Sequence, residues 1–159
     1  MSNYLRPKVR GASIFFTVAL QERGSDLLTR EIAALRAAVK KTRETRPFRI
    51  DGWVVMPDHM HVVWTLPEGD AGLATRWSVI KARFALSVAP GHRRASHVVR
   101  RERGVRQRRF WEHHIQDAAD YAAHVHYCHI NPVKHGFVAR AEDWPFSSVH
   151  REIREGRWP

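Results

Sequence analysis

Cysteine is almost absent from this chain. Cys128 is the single one in 159 residues, which excludes an internal disulfide and a zinc finger built on thiolates. Long apolar runs are lacking as well. None approaches the roughly 18 residues of a membrane span, and no membrane partner is expected. The opening Met-Ser-Asn-Tyr-Leu-Arg has no apolar stretch after its positive charge, so no signal peptide is read. A reducing cytoplasm is the expected home. With no internal repeat and no linker, residues 1–159 read as one domain, large enough to bury a core without staples.

Acid is the other scarcity. Sixteen Asp and Glu stand against 27 Lys and Arg, a net charge of +11, and such an excess points to a polyanionic partner. The charge is uneven. The connector 91–109 holds eight arginines (Arg93, Arg94, Arg100, Arg101, Arg103, Arg106, Arg108 and Arg109) and one acid, Glu102, hence eight less one, or +7. Guanidinium suits bidentate phosphate contact better than ammonium does, so this segment reads as a nucleic-acid contact rather than a merely solvated loop. A basic tail follows from about residue 150.

Residues 12–20 are β-branched and aromatic, as in a strand. Leu28, Ile32, Leu35 and Val39 then mark one amphipathic helix ending near Arg46-Pro47. Residues 48–56 and 59–66 read as two strands around a Pro57-Asp58 turn, and Leu73 to Val88 as a second helix. A short strand is expected over 109–115. A third helix is expected from an Asp117 cap to Asn131, stopping at Pro132, and a last helical piece from Asp143. The order β-α-β-β-α-β predicts an α+β, ferredoxin-like antiparallel sheet with helices on one face, plus an added C-terminal helix against the sheet.

Two histidines, His59 and His61, sit two apart in the third strand, so both imidazoles face one side. Eleven histidines in 159 positions give about 0.75 such pairs by chance. His124 and His126 share the spacing but lie in the third helix, where they diverge by roughly 200°. Met60, Val62, Trp64 and Leu66 share the opposite face of the strand and suit a core. Two imidazoles on the other face need partners or a cleft. In the third helix His124, Tyr127 and Asn131 form a polar stripe, whereas Cys128 reads as core filling. If strand and helix meet, His59, His61, Tyr127 and Asn131 make a metal site beside a phenol, suited to attack on a phosphodiester.

At these residues the chain resembles the REP-associated tyrosine transposases, single-tyrosine members of the HUH group named for histidine, hydrophobic residue, histidine. Met56-Pro-Asp-His-Met-His61 looks like the metal motif, and Phe110-Trp-Glu-His113 like the strand before the last helix. Tyr127-x-His-x-Asn-Pro-Val-Lys-His-Gly136 looks like the tyrosine motif, followed by Asp143-Trp-Pro-Phe-Ser-Ser148.

The resemblance implies Tyr127 as nucleophile, with His59, His61 and Asn131 as ligands of Mg²⁺ or Mn²⁺. The implied substrate is single-stranded DNA beside a hairpin of the repetitive extragenic palindromes. Cleavage would pass through a 5′-phosphotyrosine and be reversed by another 3′-OH, so neither ATP nor any other nucleotide cofactor is implied. A nucleoid-associated bacterial protein, monomeric or homodimeric, fits this. For the general base, His124 and a bound water both stand. The rival readings are a catalytically silent hairpin-binding regulator and a water-using metal nuclease, which would not need Tyr127.

Overall fold

The computed structural model describes residues 9–89 and 110–159. The arginines of the connector, residues 93 to 109, lie outside these. The elements run β1 (Ser13–Ala19), α1 (Leu27–Arg30), α2 (Ile32–Thr45), β2 (Arg49–Val55), β3 (His59–Thr65), α3 (Leu73–Ser87), β4 (Trp111–His114), α4 (Ala118–Lys134), a 3₁₀ turn (Ala141–Asp143) and α5 (Val149–Arg154). The strands form an antiparallel sheet in the order β2-β3-β1-β4, the arrangement expected of the ferredoxin-like plan.

Alternation along the strands divides the side chains between two cores. Phe16 and Val18 of β1 and Met60, Val62 and Trp64 of β3 pack against Leu35, Val39, Trp77, Ile80 and Phe84 of α2 and α3. Trp64 stacks on Trp77 with ring centres 4.3 Å apart. On the other face, Phe15, Val54 and Val63 meet Cys128 of α4 and Trp144. The sheet is therefore covered on both faces, and β3 is buried along nearly its whole length. Cys128 is core filling, and burial pushes its thiol pKa up. α4 lies directly over Gly52, where a Cβ would be in ordinary contact with Val125 (3.6 Å) and Cys128 Sγ (3.7 Å).

Three local features differ from the sequence expectation. The first helix is interrupted at Glu31, whose φ of −102° and ψ of 33° separate α1 from α2. α4 does not stop at Asn131 but carries Pro132 inside it and ends at Lys134. Only the Pro132 N–H is lost to the helix, and the next turn is held by His135 N–H to Asn131 O (3.0 Å) and Phe137 N–H to Pro132 O (2.9 Å). The residues after Asp143 do not begin a helix. Val55 N–H donates to Phe146 O and Ser148 N–H to Trp53 O, both at 2.8 Å, so this segment covers the β2 edge before α5 begins. The basic C-terminal residues also pack: Arg151 donates to Ile50 O and Asp51 O of β2.

Candidate active site

The turn that joins β2 to β3 places His59 and His61 at the start of β3, and Met56 N–H closes it on His59 O at 2.8 Å. Both side chains are buried, at 6% and 5% exposure. Each has its Nδ1 engaged. His59 Nδ1 lies 2.7 Å from Asp58 Oδ1, and His61 Nδ1 lies 2.9 Å from Thr17 Oγ1 on the facing strand β1. Nε2 is thus the nitrogen each ring has to offer. The second oxygen of Asp58 accepts from Gly24 N–H at 2.8 Å and lies 3.2 Å from Arg23.

Burial lowers the His59 pKa, against the opposing pull of Asp58. Burial, and then the charges of His59 and His135, push His61 down to about 3. Burial works against ionising Asp58, but Gly24 N–H, His59 and Arg23 outweigh it and hold the carboxyl below its usual range. The environment therefore keeps both imidazoles neutral, the form that ligates a metal ion.

α4 lies over this pair. The Tyr127 ring packs edge-on to His61 with centres 5.2 Å apart. Phe15 sits between the elements, 5.6 Å from His61, 5.7 Å from Tyr127 and 4.9 Å from His124. One turn beyond Tyr127, Asn131 is 1% exposed, and among the described residues neither its Oδ1 nor its Nδ2 has a hydrogen-bond partner. A buried amide left without a partner costs roughly 1–3 kcal/mol. An amide oxygen in need of a partner and two neutral imidazoles are donor types that a divalent ion takes.

Two further residues reach this site. Lys134 Nζ lies 4.8 Å from the centre of the Tyr127 ring. His135, the C-terminal cap of α4, stands 5.3 Å from His59 between ring centres. The signal for Lys134 was present in the spacing, since seven residues bring a side chain back to within about 20° on a helix. His129 and His126 point away: His129 is hydrogen-bonded to Ser148 (2.8 Å) and His126 stacks near Trp158.

His124 belongs to another group. Its Nδ1–H donates to Asp120 O at 2.9 Å and also lies 2.9 Å from Asp120 Oδ1, and His113 Nε2 lies 2.8 Å from Asp120 Oδ2. Among the described residues, His113, Asp120 and His124 offer three ligand atoms within 4.8 Å of one another, a group able to hold a metal ion. Asp120 is in the first turn of α4, and its N–H donates to the Asp117 cap at 2.8 Å. Gln116 N–H and then His113 keep its carboxyl below the usual range. Asp120 and His124 at i, i+4, with His113 on the strand before, were the trace of this group in the sequence. Beside it, Trp111 at the β4 edge of the sheet is 58% exposed.

No helix among the described residues is long and apolar enough to cross a membrane. No family model matches the chain. The chain is 45% identical over 159 residues to a REP-associated tyrosine transposase of Escherichia coli, covering 100% of this chain and 89% of that protein. A Haemophilus influenzae protein, provisionally named to the same family, is 41% identical over 161 residues, covering 100% of this chain and 92% of that one. Among solved structures, a REP-associated tyrosine transposase bound to a REP hairpin matches with a TM-score of 0.86 and 45% identity, covering 100% of this chain and 89% of that chain.

Proposed function

The chain belongs to the REP-associated tyrosine transposases, and on that premise we propose that it nicks and rejoins single-stranded DNA beside a hairpin, with Tyr127 as nucleophile. His59, His61 and Asn131 would hold a divalent ion, Mg²⁺ or Mn²⁺. The observation that carries this reading is the packing of the Tyr127 ring on His61, at 5.2 Å, next to a histidine pair whose Nδ1 atoms are both engaged. A further support is the hairpin bound to the structural relative.

A phenol loses its proton only near pH 10, so it needs help to attack at neutral pH. When bound, the ion would polarise a phosphate oxygen and orient the scissile bond. Thr17 and Asp58 fix the two imidazoles that hold it. The Lys134 ammonium offsets negative charge growing on the Tyr127 oxygen. That oxygen bonds to phosphorus as the bond to the 3′-oxygen breaks. The phenolic proton goes to a base, for which His124 and a water both stand, and the 3′-oxygen takes a proton from water and leaves as a hydroxyl. The 5′-phosphate stays on Tyr127 as an ester, and a second 3′-OH reverses the step without ATP.

The DNA would be held by the arginines Arg93, Arg94, Arg100, Arg101, Arg103, Arg106, Arg108 and Arg109, tracking phosphates. Trp111, exposed and one ring (Phe15) removed from Tyr127, supplies a face on which an unpaired base stacks.

The test is a labelled single-stranded hairpin incubated with the protein and Mg²⁺ or Mn²⁺, then run under denaturing conditions. A protein–DNA adduct is expected with the wild type and none with Tyr127→Phe. Cleavage that persists in Tyr127→Phe would favour a water-using nuclease. Tight hairpin binding without cleavage under either ion would favour the silent regulator.

A further inference from the structure

Away from the His59 and His61 pair, two other imidazoles converge on one carboxylate. The rings of His113 on β4 and His124 on α4 lie nearly parallel, centres 4.6 Å apart, with an edge of each turned to Asp120. We propose that His113, Asp120 and His124 form a second divalent-cation site, of the borderline transition-metal class to which Zn²⁺ belongs.

Two imidazole nitrogens with one charged carboxylate oxygen are a donor set of that class. The three residues are already positioned. His113 is fixed by strand pairing with Phe15. Asp120 and His124 are one turn apart on α4, and Asp120 Oδ2 is also held by Gln116 N–H at 2.9 Å. An ion would replace the His113 N–H bond to the Asp120 carboxylate and the His124 N–H bond to the Asp120 carbonyl, each imidazole presenting a lone pair while its proton moves to the other ring nitrogen.

The site cannot share the ion proposed for His59 and His61. On β1, Thr17 pairs with His61 on one side and Trp111 on the other, and Phe15 pairs with Val63 and His113. The two groups thus lie on one face of the sheet with β1 between their strands, roughly 10 Å apart. Three protein ligands leave coordination positions open, and with His124 a ligand here the base for Tyr127 is a water. The bland alternative is that Asp120 only accepts hydrogen bonds, its carboxylate from His113 and its carbonyl from His124; metal titration separates the two.

The full chain, stripped with EDTA, is titrated with Co²⁺ and followed by its visible absorption. Two equivalents are expected for the wild type, one for His61→Ala, one for His113→Gln, and none for the double variant. Zn²⁺ should raise the wild-type melting temperature by a part that His113→Gln or His124→Gln removes. Should these variants fold poorly, wild-type crystals soaked in Zn²⁺ and measured at the zinc edge should show an anomalous peak among the three side chains. No peak there, or a His113→Gln stoichiometry equal to that of the wild type, overturns the site. A wild type that binds one equivalent, kept in His61→Ala and lost in His113→Gln, would instead count against the ion placed at His59 and His61, so the two readings fail separately.

Discussion

Lys134 Nζ stands 4.8 Å from the centre of the Tyr127 ring, two turns further along the same helix. A cation over an aromatic face is worth about 0.5–2 kcal/mol, and more of that value is realised as the ring oxygen gains negative charge. Lys134→Met keeps the stem and removes the charge. Its expected effect is a roughly tenfold slower single-turnover formation of the phosphotyrosine adduct, about 1.4 kcal/mol, with hairpin affinity changed far less. An unchanged adduct rate would remove Lys134 from the chemistry.

Asp58 ties three parts of the chain together, accepting from His59 and from Gly24 N–H and pairing with Arg23. A carboxylate behind a ligating histidine fixes the ring and raises its basicity, and its loss commonly weakens metal affinity 10–100-fold. Asp58→Asn should therefore shift the Mn²⁺ concentration for half-maximal cleavage upward by about tenfold or more. Cleavage at saturating Mn²⁺ should recover much of the wild-type rate. A variant that lost rate at every Mn²⁺ concentration without any shift would show that Asp58 acts otherwise.

The elements that position the site were legible because burial imposes periodicity. Met60, Val62 and Trp64 had to face one way, which turned His59 and His61 the other. Tyr127 and Asn131 followed from helical spacing. Contacts that depend on distant chain were not legible. Asp58 meets Gly24 and Arg23, and His61 meets Thr17, across 34 to 44 residues of sequence. Lys134 and His135 lie past Pro132, where the sequence predicts the helix stop, whereas a proline removes a single N–H and α4 runs on through it. The His113–Asp120–His124 group left only a partial trace, Asp120 and His124 one turn apart, because the turn of the chain between β4 and α4, not any periodicity, brings His113 onto them.

Trp111 is 58% exposed beside stacked His113 and close to Phe15. An exposed indole there is a face for a flanking base, and base stacking on an aromatic side chain contributes about 1–3 kcal/mol. Trp111→Ala should weaken binding of a hairpin carrying a single-stranded flank by about 5- to 100-fold, with Trp111→Phe intermediate. Binding of a blunt hairpin should change little. Fluorescence anisotropy with the two oligonucleotides checks this, and an equal loss on both would assign Trp111 to the duplex instead.

The arginine connector lies outside the described residues, yet its charge makes a quantitative expectation. Each phosphate neutralised on a single strand contributes about 0.7 to the slope of log affinity against log salt. Replacing Arg100, Arg101 and Arg103 together with Ala should flatten that slope by about 2. Binding measured between low and moderate salt checks it. A slope equal to that of the wild type would move the phosphate contacts elsewhere.

Arg76 is buried at 3% exposure and joins the start of α3 to the chain between α2 and β2. It donates to Pro47 O at 2.8 Å and to both carboxylate oxygens of Asp70, at 2.7 and 3.0 Å. The Arg76 hydrogen bonds, then Gly72 N–H, hold the Asp70 pKa down at about 2. A carboxyl depressed in the folded state contributes stability above its ordinary pKa, and loses it as pH falls through the depressed value. The contribution is therefore whole above about pH 4 and fades towards pH 2. Solvent screens it, because 35% of the Asp70 side chain is exposed, and its size is on the order of 1 kcal/mol. Asp70→Asn removes that contribution at neutral pH and leaves the buried guanidinium without its counter-charge, so a loss of about 1–2 kcal/mol is expected there. The gap between variant and wild type in denaturant melts should narrow as the pH is lowered from 4 to 2. A gap that stayed constant over that range would show that the Asp70 charge is not what anchors Arg76.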